Sequence, residues 1–368
     1  MHLHSDKRIV LTLDAGGTNL VFNAVKGGKE MFQPMRLKAR GDNLEEVLKK
    51  IISGFENTWN KLTDNPVAIS FCFPGPADYP NGIIGDLENL PHFRGGVPLK
   101  AMLENHFNVP VYINNDGDLF TLGEAIGGIL PEINSKLKEA NNPKQYKNLF
   151  GATFGTGFGG GMVSNGKLHI GDNSAGGEIN RMRNKLYPDT SVEDSTSIRA
   201  IKRVYARESG TAVDACTGPR EIAEIAEGKR EGDKRAAILA YEELAIVAGD
   251  ALANAVTLFD GLVVLGGGLS KSYPLYLQKL VDEMNSAYTT LSVNSLDRME
   301  VRAMNLENPV ELELFLKDES SYINVPFSKE KVLYDPSRYI GVGVSRLGTS
   351  EAVSVGAYAY ALSMLNSA

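Results

Sequence analysis

Five of the seven residues from Gly155 to Gly161 are glycine, in the order Gly155-Thr156-Gly157-Phe158-Gly159-Gly160-Gly161. Glycine loses more conformational freedom on folding than any other residue, so the run implies that something bulky approaches this backbone. A second turn of the same character, Asp14-Ala15-Gly16-Gly17-Thr18, ends the apolar segment Arg8–Leu13. Gly16 and Gly17 let backbone N–H groups come close to a phosphate, and Thr18 adds a hydroxyl donor. Asp14 would need a cation between itself and that phosphate, which suits Mg²⁺ bound directly or through its water. A third cluster, Gly266-Gly267-Gly268, follows the apolar run Leu262–Leu265. The chemistry these loops suggest is phosphate binding by N–H groups and a divalent cation. The plainer readings are a tight hairpin with a capping Asp at Asp14–Thr18 and a structural bend at Gly155–Gly161. No G-x-x-x-x-G-K-[ST] string occurs. Gly155–Gly160 fits G-x-G-x-x-G only loosely and does not open a helix, which disfavours a dinucleotide site.

The elements that must position these loops follow from periodicity. Arg8–Leu13 and Leu20–Val25 read as a strand pair bent around the first loop, Leu44–Leu62 has helical spacing, and Val67–Phe73 reads as a strand stopped by Pro74-Gly75-Pro76. A helix at Leu99–Phe107, a strand at Val109–Asn114 and a helix at Asp118–Gly128 follow. The polar stretch Ile133–Asn148 reads as a surface excursion. Leu149–Phe154 and Gly161–Val163 then repeat the strand–loop–strand layout of the N-terminus. Helices are expected at Ser197–Arg207, Pro219–Ala226, Lys234–Leu258 and Ser350–Leu365, and short strands at Met299–Met304 and Val310–Leu316. A chain of 368 residues exceeds what one core supports, so an α/β protein of two related lobes hinged near Asp116–Leu119 is expected.

Apolar content of 43% and charged content of 23% are globular values, and no apolar run approaches the roughly 18 residues of a membrane span. With no apolar stretch ahead of Arg8, no signal peptide is expected, and the cytoplasm is the expected compartment. Cys72 and Cys216 stand far apart, outside any C-x-x-C spacing, and Cys72 reads as a small buried residue. A net charge of -7 argues against nonspecific nucleic-acid binding.

In order along the chain, Asp14-Ala15-Gly16-Gly17-Thr18, Phe73-Pro74-Gly75-Pro76, Asn114-Asn115-Asp116, Gly155–Gly161, Gly177-Glu178-Ile179 and Leu265–Gly268 resemble the ROK family of sugar kinases and sugar-responsive repressors. The resemblance implies an actin/hexokinase-type fold, two ribonuclease-H-like lobes with ATP and sugar in the cleft between them. The lobes would be 1–118, joined by the helix at 350–368, and 119–349 with an insertion at about 291–345. It also implies ATP contacts at Gly16, Gly17, Thr18, Gly155, Thr156, Gly157, Gly266, Gly267 and Gly268. Asp116 becomes the catalytic base, Asn115 a sugar contact, and Glu178 and Glu193 sugar-binding acids. The six-hydroxyl of a hexose is the acceptor, Mg²⁺ the metal and a homodimer the usual state. Two departures stand out. Arg181 replaces the histidine of the family's G-E-x-G-H motif, and Arg183–Val192 lacks the cysteines of its zinc motif, so no structural zinc is expected.

Phosphoryl transfer to a sugar needs a base for the hydroxyl proton and donors that offset γ-phosphate charge. Asp116 meets the first need; its plain alternative is to cap the helix beginning at Asp118. Carboxylates and amides such as Glu178, Glu193 and Asn115 suit a ligand whose hydroxyls both donate and accept. Two other readings stand beside the kinase. A sugar-sensing repressor would carry a helix-turn-helix domain ahead of Asp14, for which the sequence leaves no room. A non-catalytic sugar sensor would fit the lost histidine and cysteines, against which stand Asp116 and the three glycine loops.

Overall fold

Ile9, Val10, Leu11 and Leu13 are buried on both faces of the strand Ile9–Ala15, as a continuous apolar run in a central strand should be. The computed structural model describes residues 3–15, 19–39, 41–75, 77–87 and 90–367. Its contacts gather into two units, Met1–Gly128 with Gly160–Glu178 and Arg346–Ala368, and Ile129–Gly159 with Ile179–Ser345. Among the described residues no helix is long and apolar enough to cross a membrane.

In the first unit, Ile9–Ala15 pairs antiparallel with Asn19–Lys26 and parallel with Ala68–Cys72, which pairs parallel with Val111–Asn114. The register sets Asp14 opposite Cys72 and Cys72 opposite Asn114. The carboxyl ends of the three parallel strands therefore finish in one row, where open α/β sheets place their ligands. The helix Leu44–Trp59 covers the sheet. Its N-cap Asn43 accepts from the Glu46 N–H, and Phe55 meets Phe22 edge-to-face at 5.1 Å. Gly54 is required there, because a Cβ would lie 2.2 Å from the Phe22 ring.

The helix Asp116–Gly127 starts two residues earlier than its apolar pattern predicts, because Asn115 is the N-cap. It packs on the helix Thr349–Ser367 almost backbone to backbone. A Cβ on Gly123 would lie 1.9 Å from the Ala352 carbonyl oxygen, and one on Gly356 would lie 1.9 Å from that of Leu119. Glu124, fully buried on the same helix, accepts backbone N–H groups of Arg346 at 3.1 Å and Leu347 at 3.0 Å, just ahead of Thr349–Ser367.

In the second unit, Asn148–Phe154, Leu262–Gly266, Tyr339–Val344 and Arg302–Asn305 run parallel, side by side in that order. The 26-residue helix Lys234–Phe259 is apolar along most of its length and lies largely buried. Two sequence expectations need correction. The excursion at Ile133–Asn148 is in its first half a helix, Ile129–Glu139, whose Ile129, Ile133 and Leu137 are fully buried. Its Lys and Glu residues mark the outer face of an amphipathic helix, where Lys136 pairs with Glu132 at 2.7 Å. Val310–Leu316 is also helical, within Pro309–Leu316; the Asn308 cap and Pro309 in the first turn outweigh the alternating pattern of Val310-Glu311-Leu312-Glu313. The rest of the segment from Leu291 to Ser345 includes an exposed hairpin, Ser321–Asn324 with Lys331–Tyr334.

The close helix contact predicts that Gly356→Ala will destabilise the protein by about 1–3 kcal/mol, the usual cost of overpacking a core, read from its urea midpoint.

Candidate active site

The row of strand ends in the first unit carries a group of carboxylates. Asp14, next to last in its strand, is half-buried, and loss of solvent raises its pKa. The Cys72 thiol donates to Asp14 Oδ1 at 3.6 Å, which partly offsets that rise, as does the positive charge of Arg36. Cys72 is therefore more than filler. Burial first, then the charges of Asp14 and Asp116, push its thiol well above the ordinary cysteine value, so it stays a protonated donor.

Asp116 begins its helix. Its Oδ1 accepts the Gly117 N–H at 2.9 Å, and the Asn115 side chain, which caps the helix, accepts the same N–H at 2.8 Å. The helix thus has its cap in Asn115, which leaves the outer oxygen of Asp116 free of that task. Desolvation raises the Asp116 pKa, the Gly117 N–H lowers it and the Asp14 charge raises it again. By accessible surface Asp116 is nevertheless exposed. Both hold together for a carboxylate that water can reach while dense protein thins its hydration, and the exposure governs what can touch it.

Asn115 Nδ2 approaches the Tyr79 hydroxyl at 3.5 Å, and Tyr79 donates to the Phe73 carbonyl at 2.9 Å. Tyr79, 4% exposed, so ties the turn after Ala68–Cys72 to the start of the Asp116–Gly127 helix. Nothing in the sequence singled it out; a tyrosine six residues beyond Phe73, after a Pro-Gly turn, was the available signal. Glu178 is exposed in this unit, and its charge acts on the buried Asp118.

Part of the glycine run serves the protein's own packing. A Cβ on Gly117 would lie 2.6 Å from the Gly160 carbonyl oxygen, and one on Gly161 would lie 2.5 Å from that of Gly117. The bulky neighbour of Gly160 and Gly161 is the first turn of the Asp116–Gly127 helix.

The second unit holds the remaining predicted groups. Asn148–Phe154 and Leu262–Gly266 pair Thr153 with Gly266, which places the turn at Gly155–Gly157 and the cluster Gly266–Gly268 at the same end of neighbouring strands. Gly155 and Gly268 have open space where a Cβ would stand, and Thr156 is exposed, so these backbones are reachable. Gly267 has φ +83° with the Phe154 carbonyl 2.2 Å from an added Cβ, a position only glycine fills. Glu193 clamps the turn: its Oε2 accepts the Phe158 N–H at 3.1 Å and its Oε1 accepts from Arg199 at 3.1 Å. Arg181 closes a single turn of 3-10 helix, Ile179–Arg181, and is exposed. Gly16, Gly17 and Thr18 lie outside the described residues.

The loop ahead of Glu193 is held by a polar network. Asn184, fully buried, donates to Ser195 Oγ at 2.9 Å and to the Ser191 carbonyl, and accepts the N–H groups of Leu186 and Tyr187. Ser195 in turn donates to Glu243 at 2.9 Å, where Tyr187, Arg203 and Arg207 also converge. Glu243, only 6% exposed, is the centre of this network and was not identified from sequence. Among the described residues no group of three or more His, Cys, Asp or Glu could hold a metal ion.

Removing Glu243 leaves the buried Ser195 hydroxyl without its acceptor and takes a partner from two half-exposed guanidinium groups, so Glu243→Ala should cost about 1–3 kcal/mol in urea unfolding, the range for a buried polar group left unsatisfied.

The model of the ROK family matches residues 10–308. A glucokinase crystal structure from Parabacteroides distasonis is 50% identical, covers 99% of both chains and superposes with a TM-score of 0.90. The N-acetyl-D-glucosamine kinase of Vibrio cholerae serotype O1 is 28% identical over 291 residues, 73% of this chain and 86% of that one. A ROK family glucokinase from Streptomyces griseus, solved with glucose and AMPPNP, shares the fold at 19% identity and a TM-score of 0.62, covering 95% and 98% of the two chains. The chain belongs to the ROK family and has its actin/hexokinase-type fold.

Proposed function

We propose that this ROK-family chain is a sugar kinase that transfers the γ-phosphoryl group of ATP to a hydroxyl, the six-hydroxyl, of a hexose or N-acetylhexosamine, with Asp116 as general base. The observation that carries the reading is Asp116 itself: a reachable carboxylate at the end of a strand row, beside Asp14, with its pKa above the ordinary aspartate value. The 50% identity to a glucokinase over nearly the whole chain supports a sugar as the acceptor.

In this reading Asp116 accepts the proton of the acceptor hydroxyl as its oxygen attacks the γ-phosphorus. The raised pKa brings the base nearer to neutrality, where a carboxylate is better matched to that proton. Asn115, Glu178, Glu193 and Arg181 hold the sugar's other hydroxyls. Backbone N–H groups of Gly155, Thr156, Gly157 and Gly266–Gly268, with Gly16, Gly17 and Thr18, bind the phosphates. Asp14 suits Mg²⁺: it is a hard oxygen donor, half-buried, with its pKa raised, the setting in which a cation would lower the cost of its charge. When bound there, Mg²⁺ would offset the charge of the transferring phosphoryl group. A homodimer is the state proposed for solution, to be read by light scattering.

A coupled ADP-release assay with Mg-ATP across glucose, N-acetylglucosamine, N-acetylmannosamine and mannose should show turnover on at least one sugar. Sugar binding by calorimetry without turnover on any would replace the kinase by a sensor. Asp116→Asn should lower kcat by about 10²–10⁴-fold while leaving sugar affinity and the unfolding midpoint unchanged. The sign of the pH dependence follows from the base having to be ionised. The acid limb of kcat/KM should fall as pH drops through the raised pKa, above the ordinary aspartate value of about 3.9. A limb at or below that value would contradict the assignment.

A further inference from the structure

Two residues beyond the proposed base, Asp118 is 4% exposed and its Oδ1 is buried with no hydrogen-bond partner. It sits at the third position of the Asp116–Gly127 helix, from which an acid commonly reaches back to the N-cap N–H, yet it makes no such bond. Around it stand Asp116 on its own helix, Glu178 at the end of the Gly160–Glu178 segment, Tyr79 from the turn after Ala68–Cys72, and Tyr360 on the C-terminal helix. None of these is a cation. Asn114, four residues earlier, has an unpaired buried Nδ2. A buried carboxylate that feels two other acids, with no cation acting on it among the described residues and no hydrogen bond to its Oδ1, gives up its charge instead of keeping it. Burial and the charges of Asp116 and Glu178 all push in that direction.

We propose that Asp118 is a positioning residue that works uncharged, donating its carboxyl proton toward Glu178 so that this acid is held for the sugar while Asp116 alone on the helix end carries charge. An ionised Asp118 would offer only acceptors beside two acids that are themselves acceptors; the neutral acid supplies both a donor and an acceptor. The proposal rests on the kinase reading for its effect on sugar binding, though the charge state of Asp118 does not depend on it.

The test compares Asp118→Asn, which keeps a donor and no charge, with Asp118→Leu, which keeps neither. Asn should retain kcat and sugar KM within about threefold, and Leu should raise sugar KM by about tenfold or more, the loss of one hydrogen bond to a charged group, with kcat little changed. In the wild type, sugar KM should rise on the alkaline side as Asp118 ionises, and in the Asn variant this rise should vanish. A separate arm follows urea unfolding against pH. The folded chain keeps a proton that the unfolded chain releases above about pH 4, so wild-type stability should fall relative to Asp118→Asn as pH rises from there through the raised pKa. Loss of activity in the Asn variant, an unchanged sugar KM in Leu, or parallel stability curves for wild type and Asn would overturn the proposal. A wild type without kinase activity would sink the functional reading instead, and the unfolding arm would still decide the charge of Asp118.

Discussion

Like charges crowded where solvent is thin are the constraint around which the first unit is organised. Strand register brings Asp14 and Asn114 into one row, and the helix that starts at Asn115 adds Asp116 and Asp118 within a single turn. Each acid raises the cost of ionising another. The surroundings respond differently at each position. Asp14 receives a thiol hydrogen from Cys72, Asp116 receives an amide hydrogen from Gly117, and the buried Oδ1 of Asp118 receives none. One strand end and the start of one helix thus hold acids with unequal tendencies to keep a proton.

The second unit solves a different problem, that of holding a glycine-rich turn in one shape without side chains of its own. Glu193 does so from outside, by accepting the Phe158 N–H. The segment that brings Glu193 there is fixed in turn by Asn184 and by Glu243 on the long helix. The resemblance implied cysteines and zinc near this point, and Arg183–Val192 has no cysteine. Here a buried carboxylate ringed by a hydroxyl, a phenol and two guanidinium groups restrains the segment, and its strength depends on every member being in place.

Much of this was legible in the residues. The glycine clusters announced sharp turns at strand ends, and Asn115-Asp116 stood out because a strand stops there and a helix begins. The helix Leu99–Phe107 was read to the residue, since its apolar spacing and the Pro-Asn boundaries agree. The misreadings have local causes. Ile133–Asn148 looked like a surface excursion because the exposed face of the helix Ile129–Glu139 is dense in Lys, Glu and Asn, and Val310–Leu316 looked like a strand because Val, Leu and Leu alternate with Glu. Tyr79 and Glu243 escaped notice for another reason. Tyr79 meets Asn115 36 positions later and Glu243 meets Ser195 48 positions earlier, and no local pattern encodes such a partner. Two glycines of the richest loop also proved to face a helix of the same protein, a contact that composition cannot distinguish from a ligand.

The flush seat of Thr349–Ser367 on the helix that begins with Asp116 bears on how the chain reaches its working form. Synthesis proceeds from the N-terminus, so the Asp116–Gly127 helix leaves the ribosome well over two hundred residues before the helix that covers it. Until then its Gly123 face has no cover, and Glu124 lacks the amides of Arg346 and Leu347. The helix that begins with Asp116 is therefore covered only after a loop closure of more than two hundred residues, so its packing is among the late steps of folding.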